Sequence, residues 1–111
     1  MIVNITLVRI KRHLLAGRYA FSLKAEREML EGDLTEADVI ESIVNAPAIT
    51  KVLRSRSRQR QARREMLYVI VGSTFDGVLV YTKGTIRQVA GEETYYFLIS
   101  SKRWLSGGYT E

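Results

Sequence analysis

The spacing of the hydrophobic residues changes near the middle of the chain, and this change constrains the fold more than any other feature. Up to residue 45 the apolar residues recur at helical spacing, and the segments end at Gly17, at Gly32 and at Asn45. After residue 65 the apolar residues are β-branched and aromatic, and they run continuously or alternate as in strands. Helices followed by strands are typical of an α+β fold, so we predict N-terminal helices packed on a small antiparallel β-sheet.

Three residues of the first half have the side chains that favour helix N-termini. Asn4, Ser22 and Thr35 each precede a segment with apolar residues at helical spacing, and each can accept a hydrogen bond from the first turn. Asp38 follows Thr35 by three residues, as the acidic partner in a shortened capping box does. The sequence therefore predicts three helices, of which the third has the clearest start.

The second half contains three segments of strand character. Residues 66–71 (MLYVIV) are apolar at every position, as in a central strand that is buried on both faces. The pair Asp76-Gly77 favours a tight turn before a second strand over 78–81. Turn residues around Ala90-Gly91 then lead to a third strand over 94–100 (TYYFLIS), and the three strands are expected to form a meander.

The length of the chain fits one domain. The chain has 111 residues, and we assign residues 1–104 to a single domain and residues 105–111, which include Ser106-Gly107-Gly108, to a loosely held tail. No apolar run approaches the roughly 18–20 residues of a membrane helix, and the first residues lack the order of a signal peptide. We therefore expect a cytoplasmic protein with no membrane partner.

The residue types that are missing exclude several classes of chemistry. The chain has no cysteine and one histidine, His13, which excludes disulfides, thiolate zinc sites and cysteine nucleophiles and argues against metal sites with several histidines. We expect no metal and no cofactor, and chemistry that depends on Lys, Arg, Tyr, Glu, Asp or Ser. His13 lies beside Lys11 and Arg12 and is expected to be exposed or at a boundary.

The positive charge is concentrated in one segment. The formal charge is +5, from 17 basic and 12 acidic residues. Residues 51–64, here called the arginine strip, hold seven of the basic residues and no acidic one, so the remaining ten basic and twelve acidic residues sum to −2. The basic residues of the strip are Lys51, Arg54, Arg56, Arg58, Arg60, Arg63 and Arg64. This asymmetry favours contact with a polyanion such as RNA, although a solvated loop would carry the same charges, and both interpretations remain open.

Alternation within the arginine strip indicates how the polyanion would be bound. Arg54, Arg56, Arg58 and Arg60 alternate with serine and glutamine, so an extended segment would present all four on one side. Guanidinium groups in such a row suit a phosphate backbone. The same charges would also protect a sheet edge from aggregation, and both roles remain open.

Three segments, taken together, resemble the MqsR family of bacterial toxins. They are residues 10–17 (IKRHLLAG), 80–86 (VYTKGTI) and 98–102 (LISSK), which are similar in order and approximate spacing to the opening helix, a strand and the final strand of that family. The resemblance extends over residues 5–103. It implies a RelE-like fold, messenger RNA cleavage as an mRNA interferase of a type II toxin–antitoxin system, and a zinc-finger antitoxin of the MqsA kind as partner.

The resemblance also implies particular site residues. It places Tyr81 and Lys102 on two residues of the toxin active site and Lys51, more loosely, on a third. Independently of the resemblance, Glu65 follows two arginines and is the best candidate for a carboxylate base. Lys24 stands where small relatives of the toxin commonly carry histidine. Lysine at this position is a permanent charge, whereas histidine would titrate near neutral pH.

The chemistry expected of such a site needs neither metal nor thiol. The 2′-hydroxyl of RNA can attack the adjacent phosphate when one group accepts its proton, another protonates the leaving oxygen and cations stabilise the phosphorane. Two alternatives remain open: an RNA-binding module without catalysis, and a protein-interaction domain whose arginine strip contacts an acidic partner. In the third strand, Tyr95 and Phe97 share one face and Tyr96 lies on the other. If the face with Tyr95 and Phe97 belongs to the core, Tyr96 is the candidate for an exposed base-stacking residue.

Overall fold

A computed structural model describes residues 4–55, 65–89, 91 and 94–104. In chain order the elements are α1 (Ile5–Leu15), β1 (Tyr19–Phe21), α2 (Leu23–Glu31), α3 (Glu36–Val44), β2 (Lys51–Arg54), β3 (Met66–Ser73), β4 (Leu79–Gln88) and β5 (Thr94–Arg103). The α+β class is confirmed. The predicted tail, residues 105–111, lies outside the described residues.

The helices begin at the predicted caps. The side chain of Asn4 accepts from the backbone N–H of Leu7 at 3.1 Å, and Thr35 and Asp38 form the reciprocal capping box at 3.0 and 2.9 Å. Ser22 caps α2 in the same way. Within the part of the chain that the structure describes, no helix is long and apolar enough to cross a membrane.

The sheet is mixed, and this corrects the prediction of an antiparallel sheet. Its strand order is β1-β5-β4-β3-β2; β2, β3, β4 and β5 pair antiparallel in turn, whereas β1 pairs parallel to β5. The sequence analysis did not identify β1, because three residues between two helices are too short to show a period. Its pairing with β5 depends on residues more than seventy positions away.

One face of the sheet packs against the helices and contains the hydrophobic core. Ile10 of α1 and Ile43 of α3 are fully buried there against Ile70, Val80 and Leu98 of the three long strands. Alternate residues of each strand point to the opposite face of the sheet. We call this second face the open face.

A β-bulge determines which residues of β5 reach the open face. Lys83 pairs with Ser100 but the next residue, Gly84, pairs with Leu98, so Ile99 is an extra residue in β5. The bulge shifts the alternation by one position. Ser100 and Lys102 therefore share the open face with Phe97, although simple alternation along the strand would place them on the opposite side.

Two sequence-based expectations about individual side chains were wrong. His13 is only 6 % exposed: its Nδ1 lies 2.7 Å from the carbonyl oxygen of Arg9 and its Nε2 lies 2.7 Å from Oγ1 of Thr94, which ties α1 to β5. Tyr96 is fully buried on the helix-bearing face, where its ring lies against Gly84, and cannot stack on a base. Both side chains are held by residues distant in sequence, so local composition did not reveal their burial.

The buried hydroxyl of Tyr96 leads to a stability prediction. It has no hydrogen-bond partner among the described residues, and a buried polar group without a partner is destabilising. We expect Tyr96→Phe to leave the free energy of unfolding unchanged or raise it by up to about 1 kcal/mol. Chemical denaturation of both proteins measures this difference, and a loss of stability in the variant would show that the hydroxyl is bonded.

Candidate functional site

Helix α2 lies along the edge of β5 beyond the end of β1. There the Ser22 hydroxyl donates to the carbonyl oxygen of Ile99 at 2.8 Å, and the backbone N–H of Ser101 donates to Oε1 of Glu28 at 3.0 Å. Side chains of α2 thus take the hydrogen-bonding positions that another strand would occupy. This arrangement brings the polar side of α2 to the rim of the open face.

Glu28 is the fixed centre of this contact. Its Oε1 also accepts from the hydroxyl of Ser100 at 2.7 Å, and its Oε2 lies 3.6 Å from Nζ of Lys24. The Glu28 side chain is 16 % exposed, whereas that of Lys24 is 59 % exposed. A largely buried carboxylate therefore holds a more exposed ammonium group at the edge of the open face.

Tyr81 of β4 lies beside Glu28 on the open face, directly opposite Lys102 of β5. Nζ of Lys102 is 5.3 Å from the centre of the Tyr81 ring, and Trp104 stacks on that ring with centroids 5.7 Å apart and an interplanar angle of 12°. Burial raises the pKa of the Tyr81 hydroxyl, and the negative charge of Glu28 raises it further. The hydroxyl is therefore a proton donor at neutral pH.

Lys83 completes the group and was not identified as a site residue from the sequence. Burial lowers the pKa of its ammonium group, and the positive charges of Lys24 and Lys102 lower it further, while Glu28 acts in the opposite direction. Lys83 lies two residues after Tyr81 on the same strand, and that spacing was the available signal. We call Lys24, Glu28, Tyr81, Lys83, Ser100 and Lys102 the lysine cluster.

The structure brings two of the four predicted catalytic residues together. Tyr81 and Lys102 are cross-strand neighbours. Lys51 shares the open face but lies on β2, separated from Lys83 by Val69, which corresponds to about 10 Å between the Cα atoms at the usual strand spacing. Lys51 therefore extends the positive surface without joining the lysine cluster.

Glu65 lies at the other end of the sheet. Its two carboxylate oxygens accept from Nε and Nη2 of Arg87 at 2.9 and 3.2 Å. Arg87 is six residues from Tyr81 along β4, or about 20 Å at the usual rise per residue. The structure thus places Glu65 in an ion pair far from Tyr81 and Lys102.

Only the first arginine of the predicted RNA-binding set lies within the described residues. Arg54 is exposed at the end of β2, an edge strand, and pairs with Met66, so it belongs to the helix-bearing side and not to the open face. The other members of the set lie outside the described residues; they are Arg56, Arg58, Arg60, Arg63 and Arg64.

Neither a metal site nor a similar protein assigns a function to the part of the chain that the structure describes. Among the described residues, no three His, Asp or Glu side chains converge on a point that could hold a metal ion. Comparison with models of protein families, with curated proteins and with solved structures finds no match. The chemistry available at the lysine cluster is therefore the main support for any assignment of function.

Proposed function

We propose that the protein is an endoribonuclease that cleaves RNA through its 2′-hydroxyl at the lysine cluster. The observation that carries this proposal is that two proton-transfer groups of one cluster have pKa values displaced in opposite directions. The pKa of Lys83 is lowered and that of Tyr81 is raised, so a larger fraction of the Lys83 amine is neutral than in an ordinary lysine while the Tyr81 phenol stays protonated. Such displacement is how acid and base roles are divided in many active sites.

Each chemical role can be given to a residue of the lysine cluster. Lys83, in the fraction of molecules in which its amine is deprotonated, accepts the proton of the 2′-hydroxyl, and the resulting oxygen attacks the adjacent phosphorus. The P–O5′ bond breaks while the Tyr81 hydroxyl gives its proton to the leaving oxygen. Lys24 and Lys102 stabilise the charge of the phosphorane. The products are a 2′,3′-cyclic phosphate and a 5′-hydroxyl, so no metal, oxidant or external nucleophile is consumed.

The general base proposed here is Lys83, whereas the sequence analysis proposed Glu65. Glu65 is bound to Arg87 about 20 Å from Tyr81 by the strand rise, whereas Lys83 shares the open face and the strand with Tyr81. Tyr81 and Lys102 keep the site roles that the resemblance to MqsR toxins implies. That resemblance further supports a type II toxin–antitoxin role, with a zinc-finger antitoxin as the protein partner.

The proposal is tested with purified protein and naked RNA. We expect cleavage that leaves 2′,3′-cyclic phosphate ends and persists in EDTA, and growth arrest when the protein is expressed in bacteria. Lys102→Ala is expected to lose both, because the variant lacks a cation beside the phosphorane. Arg27→Ala removes an exposed cation of α2 outside the lysine cluster and should behave as the unmodified protein.

A folded protein that leaves RNA intact, with or without ribosomes, would contradict the enzyme proposal. It would favour RNA binding without catalysis, which has its own support in the Tyr81–Trp104 stack beneath the ammonium of Lys102. Aromatic and cationic groups in contact bind single-stranded nucleic acid. That function requires affinity for RNA that falls steeply with salt concentration and RNA that is unchanged after long incubation.

A further inference from the structure

A cavity of about 460 Å³ lies at the opposite end of the sheet from the lysine cluster. This volume is within the range of about 300–1,000 Å³ typical of small-ligand sites. Tyr95 and Ala20, which line the cavity, belong to the open face, because they pair with Arg87 and Phe97. The full lining comprises Gly17, Arg18, Tyr19, Ala20, Val89, Thr94 and Tyr95.

The surface between the lysine cluster and this cavity is aromatic and cationic. The Arg87 guanidinium lies 4.4 Å from the centre of the Phe97 ring and donates two hydrogen bonds to the carboxylate of Glu65. The rings of Phe97 and Tyr95 are 6.4 Å apart in an edge-to-face arrangement. The side chains that lead to the cavity are therefore fixed in place by one another, which lowers the entropic cost of binding a ligand against them.

We propose that this cavity binds one nucleobase of the RNA strand whose backbone crosses the lysine cluster, an inference that rests on the proposed function. The Tyr95 ring supplies a surface for stacking, and the exposed Arg18 supplies a cation at the cavity wall. Tyr95 lies seven residues from Lys102 along β5, or about 23 Å at the usual rise per residue. The bound base is therefore several nucleotides away from the cleaved bond.

The test is a scan of an RNA oligonucleotide in which one nucleotide at a time is made abasic. The oligonucleotide carries 2′-O-methyl groups, so that it cannot be cleaved, and fluorescence anisotropy measures its affinity. In the unmodified protein we expect one abasic position, several nucleotides from the cleavage site, to weaken binding by about tenfold to a hundredfold, the usual range for a base stacked on an aromatic ring.

Substitutions of Tyr95 show whether the weakened binding arises at the cavity. In Tyr95→Ala the abasic nucleotide should no longer weaken RNA binding, because the stacking surface is already lost. In Tyr95→Phe the abasic nucleotide should weaken binding as much as in the unmodified protein. Phe75→Ala is the matched control, since it removes an exposed aromatic ring at the β3–β4 turn, away from the cavity. In Phe75→Ala, both the rate of cleavage of unmodified RNA and the effect of the abasic position should be unchanged.

The outcomes separate the two proposals. If RNA is cleaved but no abasic position weakens binding, or if the weakening persists unchanged in Tyr95→Ala, the cavity does not bind a base of the strand. Binding of free adenosine monophosphate that depends on Tyr95, with no effect in the scan, would assign the cavity to free nucleotides and overturn the inference. A folded protein that neither binds nor cleaves RNA would overturn both proposals.

Discussion

Gly72→Ala is expected to prevent the protein from forming a stable native structure. A Cβ atom at this position would lie 1.8 Å from the carbonyl oxygen and 2.8 Å from the carbonyl carbon of Ser42. These are backbone atoms of α3, which packs directly on β3 at this glycine, so no side-chain rotation relieves the overlap. We expect a loss of more than about 3 kcal/mol, a large part of the roughly 5–15 kcal/mol that stabilises a typical domain.

Thermal and chemical denaturation followed by circular dichroism measure this loss, and two other glycines calibrate it. At Gly32 a Cβ atom would meet its nearest neighbours at 3.4 and 3.5 Å, which is ordinary contact, so Gly32→Ala should change stability little. At Gly84 the obstacle is the ring of Tyr96 at 2.6 Å, a side chain confined by the core, so an intermediate loss is expected. Equal stability of Gly72→Ala and Gly32→Ala would contradict the packing of α3 on β3.

Lys83→Arg is expected to abolish RNA cleavage while leaving RNA binding nearly unchanged. Arginine keeps the positive charge but stays protonated at any pH at which the protein is folded, so it cannot accept the proton of the 2′-hydroxyl. Loss of a general base usually lowers the rate by about 10²- to 10⁴-fold. Single-turnover cleavage gives the rate, and anisotropy with an uncleavable oligonucleotide gives the affinity.

Lys102→Arg is the matched control for this substitution. Lys102 is assigned only a positive charge, which arginine supplies, so this variant should retain much of the cleavage rate. The opposite pattern, with Lys83→Arg active and Lys102→Arg inactive, would move the role of base away from Lys83. Lys83→Met should fold at least as stably as the unmodified protein, because it removes a partly buried charge whose pKa the fold already lowers.

The cleavage rate should depend on pH in a direction that follows from the displaced pKa values. The rate rises with pH as Lys83 loses its proton, and it levels off below the ordinary pKa of lysine because burial and the neighbouring lysines lower the pKa of Lys83. It falls again only above the ordinary pKa of tyrosine, because burial and Glu28 raise the pKa of Tyr81. Lys83→Arg should lose the rising limb once the rate of RNA hydrolysis without protein is subtracted.

The sequence by itself determined the features that depend on residues close together in the chain. The caps at Asn4, Ser22 and Thr35 are bonds between residues three apart, and the structure contains all three. The turn at Asp76-Gly77 is equally local, with Gly77 at φ +85° in a conformation that glycine adopts without strain. The α+β class followed from the same short-range periodicity.

Only the tertiary structure decided which polar side chains meet. The bulge at Ile99 turns Ser100 and Lys102 to the open face, and α2 brings Glu28 to them along the edge of β5. The same pairing places Glu65 against Arg87, at the far end of β4 from Tyr81. Strand register and edge contacts join residues tens of positions apart, and one extra residue in a strand reverses the face of those that follow. No local pattern carries that information, so the lysine cluster emerges only once the sheet is assembled.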